Sequence, residues 1–272
     1  MKKAMSTWCF PSEIGLTPML AAMQKAGFDG VELTMTLDDD AYLSPTSAEP
    51  ELAALKALVP QYGLKAHALA SNVFMQMPLT DGGERGAMAM GYARHLINLA
   101  AALGVDTVLM LPGAVEEGIP YQVAYERAGQ AIVELCRYAQ PLGITLALEN
   151  VWQKFLLSPL EFRHFIEGVR MPNIGAYFDV GNVMNIGFPQ HWIDILGTHI
   201  KRIHIKDYKA GSGDWFGFTH PFLGSVDWAS VMAALRGVGY DGWLTTEIAP
   251  VACNPALGAN WAASILDQLI IL

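Results

Sequence analysis

Leu146-Ala147-Leu148-Glu149-Asn150 and Tyr177-Phe178-Asp179-Val180-Gly181-Asn182 decide how the chain is read, because each carries a short apolar run into a carboxylate. Ile203-His204-Ile205-Lys206-Asp207 and Thr245-Thr246-Glu247-Ile248 repeat the design further along. Short β-rich runs introduced by Gly or polar turns read as strands, and the longer stretches between them carry helical period. Towards the N-terminus the alternation continues. The expected strands are Met5 to Phe10, Gly30 to Met35, Leu64 to Ala70, Thr107 to Pro112, Ile144 to Val151, Ile174 to Val180, Arg202 to Lys206 and Trp243 to Ile248. Helices are expected around Pro18 to Ala26, Pro50 to Tyr62, Arg85 to Leu103, Tyr121 to Gln140, Pro159 to Gly168, Gln190 to Ile195, Trp228 to Val238 and Pro255 to Leu272. Ser158-Pro159 marks one start, since serine caps the first free N–H groups and proline fits the first turn.

Eight successive strand–helix units favour a closed parallel (β/α)₈ barrel over an open doubly wound sheet. An open sheet would carry a Gly-rich phosphate loop after its first strand, and that position reads Phe10-Pro11-Ser12-Glu13. Two turns into strands echo each other, Gly27-Phe28-Asp29-Gly30 and Gly239-Tyr240-Asp241-Gly242, as expected where a left-handed glycine ends a helix. No Pro/Ser-rich linker, low-complexity tract or charge block divides the chain. Residues 1–272 are therefore read as a single-domain α/β TIM barrel.

Of the 272 residues, 52% are hydrophobic and 16% charged, which supplies a large core and excludes disorder. The formal net charge of -9 argues against a nucleic-acid partner, whose phosphates call for a basic patch. Cys9, Cys136 and Cys253 are odd in number and far apart, which suits reduced thiols in a cytoplasm. The apolar stretch after Met1-Lys2-Lys3 is interrupted by Ser6 and Thr7 and stopped at Pro11, unlike a secretion signal. Asp106 and Pro112 break the longest apolar runs, so no membrane span and no membrane partner are expected.

In a parallel barrel, functional groups sit where strands end and loops begin. Glu149 closes the fifth strand, Asp179 the sixth and Glu247 the eighth, while His204 lies in the seventh. One acid at a strand end is commonly a helix cap or ion-pair partner, and one inward histidine is commonly a core residue. Four such residues at one level on consecutive strands need another cause. Three carboxylates buried together repel one another and are costly to desolvate. A single divalent cation resolves both problems. The mostly oxygen shell suits Mn²⁺, Mg²⁺ or Co²⁺, with Zn²⁺ also admissible, in a catalytic rather than a structural site.

These segments resemble the xylose isomerase-like barrel superfamily, in particular its sugar-phosphate isomerase/epimerase branch, which includes ketose 3-epimerases and L-xylulose-5-phosphate 3-epimerases. The likeness rests on the four strand-end motifs, on Leu223-Gly224-Ser225-Val226-Asp227-Trp228, and on Gly239-Tyr240-Asp241-Gly242 leading to Glu247. It covers the C-terminal half well; the first hundred residues match mainly in rhythm and in Gly27-Phe28-Asp29-Gly30-Val31-Glu32. The resemblance implies that Glu149, Asp179, His204 and Glu247 bind one divalent metal ion. It further implies that Glu149 and Glu247 are an acid/base pair working through an enediolate, one taking a C–H proton and the other returning one to the opposite face. The implied activity is 3-epimerisation of a small sugar or sugar phosphate, with aldose–ketose isomerisation of hydroxypyruvate isomerase type as the alternative. Two positions depart from the free-sugar enzymes. Asn182 stands where they carry a histidine, as in similar enzymes of phosphorylated pentuloses, and their arginine after the strand-seven histidine is missing from Tyr208-Lys209-Ala210-Gly211.

Asn182, Lys206, His67, Glu32 and Trp152 are the candidate substrate contacts. Asn182 is placed either to meet a sugar hydroxyl or to cap the next helix. Lys206 shares the His204 side of its strand and could meet a hydroxyl or phosphate, unless it is a surface lysine. His67 and Glu32 lie near the ends of their strands and could line the pocket or belong to the core. Val73 to Leu79, Trp152 with Phe155, and Trp215 to Phe218 are apolar loop segments that could close over the site or join copies in a homo-oligomer. Two rivals are weaker. A zinc phosphodiesterase would need more histidines and a basic surface, and a non-catalytic sugar-binding barrel would not need both glutamates.

Overall fold

All six residues of Gly30–Met35 and all six of Ile174–Asp179 are buried, as parallel strands must be when helices cover one face and barrel side chains the other. The computed structural model describes residues 1–38 and 41–272. The strands, in chain order, are β1 (Lys2–Ser6), β2 (Gly30–Met35), β3 (Lys65–Ser71), β4 (Thr107–Met110), β5 (Thr145–Glu149), β6 (Ile174–Asp179), β7 (Ile200–Ile205), the short β8 (Asp207–Tyr208) and β9 (Phe218–Thr219), and β10 (Trp243–Thr246). Eight of them close into a barrel in the order β1-β10-β7-β6-β5-β4-β3-β2, while β8 and β9 form a separate antiparallel ribbon. The barrel pairs are parallel, and β1 completes the ring by pairing with both β2 and β10.

Helices pack outside this ring. They are α1 (Leu16–Ala26), α2 (Glu49–Gln61), α3 (Val73–Gln76), α4 (Gly83–Leu103), α5 (Tyr121–Ala139), α6 (Pro159–Val169), α7 (Val180–Val183), α8 (Pro189–Leu196), α9 (Trp228–Gly237) and α10 (Pro255–Ile271). In α5 the buried residues Ala124, Ala128, Ile132, Leu135 and Ala139 form one stripe at helical spacing, the face turned to the barrel. Ser158 caps α6 by accepting from Glu161 N at 3.2 Å. The echoing turns share their geometry: Gly27 ends α1 at φ +80° before β2, and Gly239 at φ +74° precedes β10. No helix among the described residues is long and apolar enough to cross a membrane.

The first strand differs from expectation. It is Lys2–Ser6, and Thr7–Cys9 is a 3₁₀ turn in which Ser6 Oγ accepts from Trp8 N at 3.3 Å. Its register is set by β10, beginning with Lys2 N donating to Gly242 O at 2.9 Å, and Cys9 and Phe10 are apolar because they are buried beyond the strand. β4 stops at Met110, short of Pro112, which has no N–H for a ladder. β5 ends at Glu149 rather than Val151. The four-residue helices α3 and α7 and the two-residue ribbon strands are too short for periodicity to reveal.

Asp207 organises the chain after β7. Its buried carboxylate accepts from Tyr208 N, Phe222 N, Val226 N and Trp228 Nε1 at 2.7 to 3.0 Å. Gly224 lies so close that a Cβ there would sit 2.1 Å from Asp207 Oδ1. The motif Leu223-Gly224-Ser225 is thus wrapped around one carboxylate, and the ribbon that follows β7 is anchored beside the barrel mouth.

Candidate metal centre and its cavity

The barrel register assembles the polar strand ends. Asp179 lies beside His204 in the β6–β7 ladder, and His204 pairs with Thr245, two residues before Glu247. One ligand atom from each of Glu149, Asp179, His204 and Glu247 lies within 4.8 Å of all the others. His204 Nδ1 is 3.4 Å from Glu149 Oε1, 3.7 Å from Asp179 Oδ2 and 3.4 Å from Glu247 Oε2. Asp179 and His204 are fully buried, whereas the Glu247 side chain keeps 22% of its exposure and so faces the opening.

Neighbouring strands hold these groups in place. Asp179 Oδ1 caps α7 by accepting from Asn182 N at 2.8 Å. Asn150 Nδ2 donates to Asp179 O and Asp179 N donates to Asn150 Oδ1, both at 2.8 Å, which ties β5 to β6 below the acids. Asn182 Nδ2 donates to Asn150 O at 2.8 Å and reaches Glu149 Oε1 at 3.4 Å. Lys206 Nζ donates to Glu247 Oε2 at 2.5 Å, lies 3.0 Å from Asp179 Oδ2, and sits 4.8 Å over the Phe218 ring. Its stem fits because residue 181 is glycine; a Cβ there would stand 2.7 Å from Lys206 Cγ.

The electrostatics follow from this crowding. Burial pushes the Asp179 carboxyl up to about 7 and also raises Glu149, with the Glu247 charge adding to both. Burial opposes the Glu247 charge too, but Lys206 and His204 outweigh it and bring Glu247 down to about 2. For His204 and Lys206, burial disfavours the charged forms, and the surrounding carboxylates overcome it and raise both. Three carboxylates in this space require positive charge. The donor set fits a divalent ion, being three carboxylates and one imidazole, and the buried Asp179 Oδ2 accepts no hydrogen bond, its close partner being the Lys206 ammonium at 3.0 Å.

A cavity of about 240 Å³ opens beside the cluster. Glu149, Asn182, Lys206 and Glu247, together with Ser71 at the end of β3 and Asn72 just after it, are its polar lining; Trp8, Met75, Leu109, Leu111, Val151 and Trp215 form the rest. Trp8 also belongs to the wall of a second, larger hollow of about 640 Å³ that includes Thr34, Asp38 and Tyr42.

Of the candidate substrate contacts, Asn182 and Lys206 line the cavity, and Lys206 is 8% exposed rather than a surface lysine. Trp152 does not line it. The indole donates to Asn182 O at 2.7 Å, packs against Tyr208, Trp215 and Phe218, and borders a neighbouring hollow. His67 does not line the cavity: it lies inside the barrel, stacked on Trp243 at 4.6 Å with Nε2 3.2 Å from Thr245 Oγ1. Burial, helped by Arg202, pushes its pKa well down. Glu32 is likewise fully buried, behind His204, and absent from the cavity wall. Among the loop segments, Phe155 is core, packed on Tyr121, Tyr125 and Phe165. Trp215 and Met75 reach the cavity, and Phe216 is 94% exposed. Sequence reasoning missed Trp8 and Leu111 as walls, because an apolar residue past a strand end looks like any core residue.

The comparisons with known proteins agree with this architecture. A family model described as xylose isomerase-like TIM barrel matches residues 20–269. A putative hydroxypyruvate isomerase of Streptomyces coelicolor is 28% identical over 271 residues, covering 92% of this chain and 91% of its own. An L-ribulose 3-epimerase of Methylomonas sp. is 26% identical over 247 residues, covering 87% of this chain and 79% of its own. A solved L-ribulose 3-epimerase structure shares the fold with a TM-score of 0.83 at 17% identity, over 99% of this chain and 94% of that one. Because the family match runs from within α1 to within α10 and takes in every strand that carries the acid–imidazole cluster, the chain belongs to the xylose isomerase-like TIM barrel family.

Proposed function

We propose that the protein is a divalent-metal-dependent isomerase of small sugars, and specifically a 3-epimerase of free ketoses. Glu149, Asp179, His204 and Glu247 are the metal ligands, and Glu149 and Glu247 are the acid/base pair. The observation that carries this reading is that two glutamates from β5 and the end of β10 reach one small cavity and the same ligand cluster. A bound ion supplies Lewis acidity, which lowers the cost of negative charge on a substrate oxygen. The protein groups do the rest. Each glutamate stands where it can take or return a proton at a carbon held between them, and the substrate's configuration sets which does which. Asn182 Oδ1 is buried with no hydrogen-bond partner, an acceptor suited to a sugar hydroxyl. Lys206 Nζ offers a charged donor beside Glu247. The apolar wall of Trp8, Leu109 and Leu111 covers the C–H face of a sugar and limits water.

The charges favour a free over a phosphorylated substrate. Lys206 is the cavity's one cationic side chain among the described residues, and Asp179 and Glu247 already engage it. Lys154 borders the neighbouring hollow and Lys209 is exposed, so no set of cations converges as phosphate recognition requires. The second reading, aldose–ketose isomerisation, is favoured by the Streptomyces relative. Reaction in deuterium oxide with Mn²⁺ and a panel of ketoses with and without phosphate separates these possibilities. The expected result is deuterium at C3 of a free ketose together with its epimer. Label at C1 or C2 would select aldose–ketose isomerisation, and binding without any label would leave a non-catalytic barrel.

A further inference from the structure

We infer that Glu32, which lies outside the cavity, is a positioning residue that selects the metal-binding nitrogen of His204; this rests on the metal reading of the site. Both Glu32 oxygens lie 3.1 Å from His204 Nε2, on the side of the ring away from the other carboxylates. Glu32 and His204 are fully buried, so water does not compete for the contact. Tyr177 OH donates to Glu32 Oε2, and the Tyr177 ring lies 4.4 Å from the imidazole, so both partners are fixed from β6. Meanwhile His204 Nδ1 points at Glu149, Asp179 and Glu247. A carboxylate on one ring nitrogen keeps the proton there, leaves the lone pair on the other, and makes that nitrogen a better ligand. The Glu32 carboxylate does this from β2, across the barrel interior, while touching neither the cavity nor the ion.

The test is equilibrium titration of the purified chain with Mn²⁺, and with Co²⁺ followed by its visible absorption, without substrate. Glu32→Gln keeps the shape and removes the charge. The expected result is a Kd about 10- to 100-fold weaker than wild type and an altered cobalt spectrum, with native circular dichroism. Tyr177→Phe, which leaves the Glu32–His204 contact but removes its second anchor, should weaken binding several-fold and carries the test alone if Glu32→Gln does not fold. Affinity within twofold of wild type and an unchanged spectrum would overturn the inference while leaving the metal centre intact. A wild-type chain that binds no ion would overturn both.

Discussion

On one side of the barrel mouth, β5, β6, β7 and β10 deliver Glu149, Asp179, His204 and Glu247 to a common point; on the other, the segments after β1, β3 and β4 present Trp8, Met75 and Leu111. Both halves are built from the same strand–helix unit, with strand bodies buried to a similar degree. Only the last residues differ. The comparison teaches that the scaffold leaves strand ends free to vary, so one half can concentrate charge while the other shapes an apolar wall. The two halves should therefore fail differently when altered, the charged side through turnover and the apolar side through binding.

The largest effect is expected at Glu247. Glu247→Gln should lower kcat by about 10³, within the range for loss of a general acid or base, with the fold intact. The strand end survives because Cys9 Sγ brackets that residue, donating to Thr246 O at 3.2 Å and accepting from Ile248 N at 3.3 Å. Initial rates of deuterium incorporation measure it, and a loss below tenfold would remove Glu247 from the proton transfer. A smaller effect of a different kind is expected at Trp8, which walls both the cavity and the larger hollow. Trp8→Ala should raise KM about tenfold, equivalent to about 1.4 kcal/mol, with kcat changed less than about threefold. A collapse of kcat at unchanged KM would erase the contrast between the halves.

The same contrast explains what could be read in advance. Glu149, Asp179 and Glu247 were legible because a carboxylate at the end of an apolar run conflicts with burial and demands a partner. The barrel was legible because the strand–helix alternation runs from β2 to β7 and resumes, after the β8–β9 ribbon, with α9, β10 and α10, and the Gly27 and Gly239 turns mark two of its joints. Trp8 and Leu111 carry no such conflict, so the apolar wall is visible only once β1 is seen to end at Ser6 and β4 at Met110. Glu32 did show the conflict, but its answer lay in a contact with His204, 172 residues away, which depends on barrel closure. His67 was ambiguous in sequence for a related reason. A histidine near a strand end and one in the barrel interior look alike until the stacking partner, Trp243, is in place.

The central claim is that four strand ends share a single divalent ion. Electron paramagnetic resonance titration with Mn²⁺ tests it most directly, comparing wild type with Asp179→Asn, a change that keeps the helix cap on α7 but replaces a charged ligand. The account predicts one ion bound per wild-type chain and an affinity at least about a hundredfold weaker in the variant, which is about 2.7 kcal/mol. Equal binding by both proteins, or no specific binding by wild type, would contradict it.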